Sequence, residues 1–298
     1  MPDRAGRRAV LIAGPTASGK SALALRRARD LGGVVVNADA MQVYDVLRVL
    51  TARPGPGEVD EVPHLLYGVV SPAQRFSTGD WLRAVAELLP KLEGRPLVLT
   101  GGTGLYFEAL TNGLAPVPSV PEAAVAAAEA EVQGLDREAR QRLIAARDPE
   151  MALRLNVPDP QRVVRALAVL AATGRSLVSF QEDRQPAILE GYELERLVLN
   201  PDRDVLRARI ASRFEIMLEN GAVDEVRQLR ALELEPSLPA MKAIGVREIG
   251  DWIDGRSSRE QAVERAVIAT RQYAKRQRTW FRNRMPDWDW IDPEALPP

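Results

Sequence analysis

The sequence predicts an α/β protein: a parallel sheet flanked by helices, with an inserted helical subdomain. Three observations carry this. Short apolar, β-branched runs recur at residues 9–14, 34–39, 96–100 and 194–200, and uninterrupted runs of that kind fit strands buried on both faces. Helix-favouring stretches alternate with them, which is the rhythm of parallel strands joined by crossovers. Between residues 113 and 190 that rhythm stops, and Ala, Leu, Glu and Arg dominate, residues that favour helix. Residues 1–112 and 191–298 are therefore expected to form the core, and 113–190 the insert.

Taken in order, AVLIAG at 9–14 reads as the first buried strand. It is shorter than the roughly 7–15 apolar residues of a secretory signal. Gly14–Ser21 follows it and passes into a helix-like stretch through Asp30. VVVNAD at 34–39 is the second strand and ends on Asp39. Residues 52–63, rich in Pro and Gly, read as loop. PLVLT at 96–100 is the third strand, ending in Gly101-Gly102-Thr103-Gly104. APVPSVP at 115–121 is a proline-punctuated linker into the insert, and LERLVLN at 194–200 is the fourth strand. From 202 onward the pattern is helical, broken at Pro236, Pro239 and Pro286.

Composition narrows the chemistry. With 46% hydrophobic and 27% charged residues, the chain is an ordinary globular protein. Forty basic against 41 acidic residues argue against uniform coating of nucleic acid but leave room for a local basic surface. There are no cysteines and one histidine, His64. Disulfides, thiolate nucleophiles and histidine metal clusters are excluded, so acid–base work falls to carboxylates, Lys or Tyr. His64, beside a proline loop, is expected to pack or cap. No stretch approaches the ~20 apolar residues of a membrane span, so a cytoplasmic monomer is the expectation.

Gly14-Pro15-Thr16-Ala17-Ser18-Gly19-Lys20-Ser21 matches G-x-x-x-x-G-K-[ST], with strand before and helix after. That is the phosphate-binding P-loop: backbone amides and the helix N-terminus cradle phosphate, Lys20 reaches its end and Ser21 holds Mg²⁺. Asp39 stands at the C-terminal edge of its strand, where open parallel sheets bind ligands, though such an Asp can also be a helix cap. Gly101–Gly104 ends at the same edge, its glycines permitting a ligand to approach the backbone. Arg203, Arg207, Arg209 and Arg213 lie on one expected helix, with Arg209 and Arg213 on a shared face. Residues 265–284 hold seven Lys or Arg and no acid, with Arg271, Lys275, Arg278 and Arg282 at helical spacing. Val267, Ala274 and Phe281 form an apolar seam there, and Tyr273 and Trp280 interleave. Such a stripe suits the phosphate backbone of a nucleic acid.

These segments together resemble one family, the tRNA dimethylallyltransferases. The matching stretches are AGPTASGKS, NADAMQVY, TARP, VPHLLYG, LTGGTGLYFEAL, DPQRVVRAL, RARIASRFEIML and TRQYAKRQRTWFRNR, in the family's order and across nearly the whole chain. The resemblance implies a P-loop NTPase-like sheet, dimethylallyl diphosphate as donor, Mg²⁺, and the adenosine just 3′ of the anticodon as acceptor. It implies Asp39 as the base for the adenine amine, Thr103 where base and donor meet, and Arg209 or Arg213 on the diphosphate, which of the two being left open. It further implies that RNA meets Asp39, Ala40, Met41 and Gln42; Gln161, Arg162, Val163, Val164 and Arg165 of the insert, which would contact the anticodon stem-loop; Lys242 and Arg247; and Lys275, Arg276, Gln277 and Arg278. Three positions depart from the family pattern: Ala40 for a Ser, Leu65 for a second His, and Val246 for an aromatic. Two alternatives also use a P-loop, a small-molecule kinase and a prenyltransferase acting on free AMP. A third is an RNA-binding regulator without transfer chemistry.

Overall fold

The structure is a computed structural model that describes residues 7–155, 159–182 and 185–295. The chain divides into two units, Met1–Thr111 with Ile188–Pro298, and Asn112–Ala187. In the first, strands β1 (Arg8–Ala13), β2 (Val34–Asn37), β3 (His64–Leu65), β4 (Leu97–Gly101), β5 (Glu193–Leu199) and β6 (Asp289–Ile291) form one sheet. Their order is β3-β2-β4-β1-β5-β6, and every pairing is parallel.

β1 lies centrally between β4 and β5. Ala9 to Ala13 are all 0% exposed, which is why that run shows no alternation. The chain leaves β1 toward β2 on one side and places β5 on the other. The strand order therefore reverses beside β1, and ligands of such sheets sit at the C-terminal ends there. The ends of β1, β2 and β4 carry Gly14, Asp39 and Thr103 to that edge.

Two short strands and a helix lie outside the elements expected from the sequence. The expected loop 52–63 contains the helix Pro56–Glu61, started by Pro56 and by Glu58, whose carboxylate accepts the Gly55 N–H at 2.8 Å. β3 places His64 opposite Val35, and the His64 ring donates from Nδ1 to the Val62 carbonyl at 2.7 Å. β6, in a stretch expected to be helical, pairs Trp290 with Val198. Strands of two and three residues have no readable period, and their pairing with β2 and β5 creates them.

The long helix Arg259–Arg284 starts at a capping box, Ser258 with Gln261. It buries Ala262, Ala266, Val267, Ala274, Gln277 and Phe281, the expected apolar seam with one amide added. Arg271, Lys275 and Arg282 are exposed and Arg278 is half-buried. Among the described residues no helix is long and apolar enough to cross a membrane.

The second unit is helical: Glu122–Val132, Arg137–Arg147, Pro149–Arg154, Pro160–Thr173 and Leu177–Glu182. Asp136, Asp148 and Asp159 cap three of these helices through their carboxylates. Its own core is built on Ile144, Val163, Ala166 and Val169, each 0% exposed.

The seam makes a stability prediction. Phe281→Ala should lower unfolding free energy by about 3–5 kcal/mol, and its neighbour Arg282→Ala by no more than about 0.5 kcal/mol. Urea denaturation of both variants measures this.

Candidate active site

β1 hands the chain to the P-loop, and the backbone there is fixed by its small residues. A side chain at Gly14 would press on Ser18 Oγ at 2.7 Å and on Leu199. Ala17 and Gly19 take left-handed conformations, φ 63° and 89°, turning successive amides to one side. Ser18 is fully buried, and its hydroxyl has no partner among the described residues. Lys20 donates to the Pro15 carbonyl at 3.3 Å. Burial lowers the Lys20 ammonium to about 8; Asp39 pulls the other way, and Arg213 adds to the lowering.

Asp39 is held on both flanks. Its N–H donates to Asn37 Oδ1 at 2.8 Å, and its Oδ1 accepts the Met41 N–H at 2.9 Å. Asn37, 0% exposed, also donates to the Asp39 and Leu66 carbonyls, each at 3.0 Å. Its own carbonyl accepts from the Trp81 indole at 2.8 Å. Across the cleft, the Thr103 hydroxyl oxygen accepts the Ala40 N–H at 2.9 Å. The Thr103 hydroxyl hydrogen is then free to point at a ligand.

The glycines of the Gly101–Gly104 turn stand where the protein itself leaves no room for side chains. A methyl group on Gly101 would overlap the Ala38 backbone, one on Gly102 the Gln277 amide, and one on Gly104 the Trp280 ring.

A cavity of about 580 Å³ joins these groups. Thr16, Asp39, Thr103 and Arg213 line it together with Leu50, Ile210, Phe214, Met217 and Ile244. Tyr273, Arg276, Trp280 and Lys242 complete its wall. Burial lowers the Arg213 guanidinium, with Asp39 opposing. Arg209 is spent elsewhere: it pairs with Glu294 at 2.5 Å and borders a neighbouring pocket that also reaches Gly19 and Arg213. Arg207 pairs with Asp204 at 3.1 Å. Of the two arginines left open by the sequence, Arg213 is the one in the cavity with Asp39.

The residues expected to meet RNA differ in where they lie. Ala40, Met41, Lys242 and Arg276 line the cavity, while Arg247 and Lys275 are exposed outside it. Arg278 is half-buried beside Arg203 and Arg282. In the insert, Gln161, Arg162 and Arg165 are exposed near the start of Pro160–Thr173. Four residues do not face outward as expected. Val163 lies in the insert core, and Val164 packs half-buried against it. Gln42 is 9% exposed and donates its amide to the Thr51 and Ala52 carbonyls at 2.8 and 3.0 Å. Gln277 is 6% exposed, bonded to the P-loop and the glycine turn.

Several lining residues were not singled out from the sequence. Ile210, Phe214 and Met217 form an apolar stripe at helical spacing on the Arg213 helix, Arg203–Glu219, a signal hidden by that helix's many arginines. Leu50 is set by Glu225, whose carboxylate accepts the Val49 and Leu50 N–H groups at 2.5 and 3.0 Å. That contact spans 175 residues of sequence or more and has no local signature. Among the described residues no group of three His, Cys, Asp or Glu could hold a metal ion. The exposed Ser21 hydroxyl in the first turn of Lys20–Leu31 suits Mg²⁺ brought in on phosphate oxygens, because Mg²⁺ keeps several waters and takes few protein ligands.

Comparison with known proteins agrees in sequence and in fold. The profile of the IPP transferase family matches residues 42–284. The tRNA dimethylallyltransferase of Methylobacterium sp. (strain 4-46) is 55% identical over 97% of this chain and 95% of its own. That of Chelativorans sp. (strain BNC1) is 52% identical over 94% and 97%. The crystal structure of the tRNA isopentenylpyrophosphate transferase from Bacillus halodurans superposes with a TM-score of 0.67 at 33% identity, covering 96% of this chain and 90% of that one. A eukaryotic dimethylallyltransferase solved acting on tRNA shares the fold, with a TM-score of 0.79 at 24% identity over 96% and 74%.

The lowered Lys20 gives a pH prediction. A bound diphosphate restores the ammonium, raising its pKa above the free value of about 8. Below pH 8 the charge is already present; above it, binding must take up a proton and weakens with rising pH. Calorimetry with inorganic diphosphate at pH 9, in buffers of differing ionisation enthalpy, should show proton uptake that disappears in Lys20→Met.

Proposed function

The chain belongs to the IPP transferase family and is a prenyl-transferring enzyme acting on tRNA, and from that premise we propose its donor, acceptor and residue roles. The donor is dimethylallyl diphosphate. The acceptor is the N6 amine of the adenosine 3′-adjacent to the anticodon, and diphosphate is released. The observation that carries this is the single cavity in which an anion cradle, a carboxylate and an apolar wall meet.

An exocyclic adenine amine is a weak nucleophile, because its lone pair is delocalised into the ring. The donor must therefore supply the driving force through its allylic C1–O bond, which breaks as the C1–N6 bond forms. Negative charge gathers on the departing diphosphate. The P-loop amides, Lys20 and Arg213 stabilise that charge where it develops. Mg²⁺, when bound beside Ser21, neutralises part of the diphosphate charge. The Thr103 hydroxyl donates to the oxygen that leaves C1. Asp39 holds the amine and takes the proton N6 loses. Leu50, Ile210, Phe214, Met217 and Ile244 exclude water, which would otherwise capture the electron-poor C1.

The apolar wall suits the hydrocarbon tail of the donor, which a kinase acting on a polar acceptor does not need to hold. The base must leave its stack to reach the cavity, at a cost of about a few kcal/mol. Contacts of Lys242, Arg247, Lys275 and Arg276, and of Gln161, Arg162 and Arg165 on the insert, offset that cost through the RNA backbone.

The test is transfer of label from dimethylallyl diphosphate. Label should enter an anticodon stem-loop and not AMP; label on AMP alone would move the enzyme to the free-nucleotide prenyltransferases. Asp39→Asn should cut turnover by ~10²–10⁴-fold with stem-loop binding retained. Arg213→Ala should cost ~10²–10³-fold in kcat/KM, and Arg209→Ala less than about 3-fold, since an exposed ion pair contributes little. Equal losses at the two arginines would sink the assignment of Arg213.

A further inference from the structure

Gln277 is a buried polar group at the cavity that the transfer chemistry leaves unused. It lies in the most basic stretch of Arg259–Arg284, between Lys275, Arg276 and Arg278, yet only 6% of it is exposed. Its Oε1 accepts the Thr16 N–H at 2.9 Å, and its Nε2 donates to the Gly102 carbonyl at 2.9 Å. Trp280, three residues later, seats on Gly104, so one face of the helix meets the glycine turn at two points.

We propose that Gln277 is a positioning residue for the transfer step, fixing the distance between the diphosphate cradle at Thr16 and the Asp39–Thr103 pair. Thr16 belongs to the loop that holds the leaving group. Gly102 immediately precedes Thr103, whose hydroxyl bonds Ala40 beside Asp39. One amide therefore ties together the two halves of the site that the donor's C1 must bridge. Only a primary amide donates and accepts from one planar uncharged head, and both of its bonds are shielded from water, where breaking them is costly. Misplacing reacting groups by about 1 Å costs on the order of 10²-fold in rate. Gln277 acts through the protein and does not touch RNA.

This inference rests on the proposed function, so wild-type transfer to the stem-loop is measured first and separates failure of that reading from failure of this one. Gln277→Met keeps the volume and removes both hydrogen bonds. Its kcat should fall ~10–100-fold, with stem-loop affinity and donor KM changed less than about 3-fold. Gln277→Glu gives a second readout, independent of whether the Met variant folds. A protonated carboxyl can accept from Thr16 and donate to Gly102, and the ionised form cannot donate. The ratio of its kcat to that of wild type should therefore rise as pH falls from 8 to 6. Weakened stem-loop binding with kcat intact would make Gln277 an RNA contact and overturn the proposal. So would a Gln277→Glu ratio that stays flat with pH.

Discussion

The site depends on how closely the ends of β2 and β4 approach. Gly101 stands against the Ala38 backbone with no room for a Cβ. The Ala38 N–H donates to the Thr100 carbonyl at 2.8 Å, and the Thr103 N–H to the Ala38 carbonyl at 3.2 Å. The sheet's pairing thus continues past its last regular residues into the turns that carry Asp39 and Thr103. Asp39 and Thr103 inherit their positions from this zipper, and Asn37 locks Asp39 from behind. Leaving such buried groups unpaired costs about 1–3 kcal/mol each, so the carboxylate has little freedom to wander. A site built from backbone pairing in this way is set before any ligand arrives.

Its electrostatics are set in advance as well. Lys20 and Arg213 both sit near Asp39, and Arg213 makes it harder for Lys20 to stay charged. Two cations facing one carboxylate, all half-buried, leave a shortage of negative charge that suits an anion such as the proposed diphosphate. In the proposed transfer the same cations gain most when the C1–O bond breaks, because charge then concentrates on the group they would hold. The apolar wall serves the opposite end of that bond. In that proposal Leu50 and the Ile210, Phe214 and Met217 stripe would keep water from the carbon while the cradle draws electrons from it.

Much of this was legible in the chain, and the pattern of what was not is physical. The P-loop, Asp39 and Thr103 could be placed because each lies at the end of a strand long enough to read. Arg209 and Arg213 share a helical face, and sequence could not choose between them; the choice depends on Glu294, 85 residues away, which engages Arg209. Gln42, Val163 and Gln277 matched motif positions expected to meet RNA, but a motif does not say which way a side chain points. Two of the three are amides drawn inward by backbone groups far away or across a loop. β3 and β6 carry no period, and exist because β2 and β5 offer them a partner.

The central claim is that the adenine N6 amine, poised by Asp39, attacks the donor carbon inside the cavity. It is tested most directly in a single-turnover experiment with two anticodon stem-loops. One carries adenosine 3′ of the anticodon; the other carries purine riboside there, which lacks the amine and is otherwise the same shape. Both should bind with similar affinity, and only the adenosine stem-loop should take up the labelled dimethylallyl group. Label on the purine riboside stem-loop at a comparable rate would contradict the account, because the bond would then have formed at an atom that Asp39 does not serve.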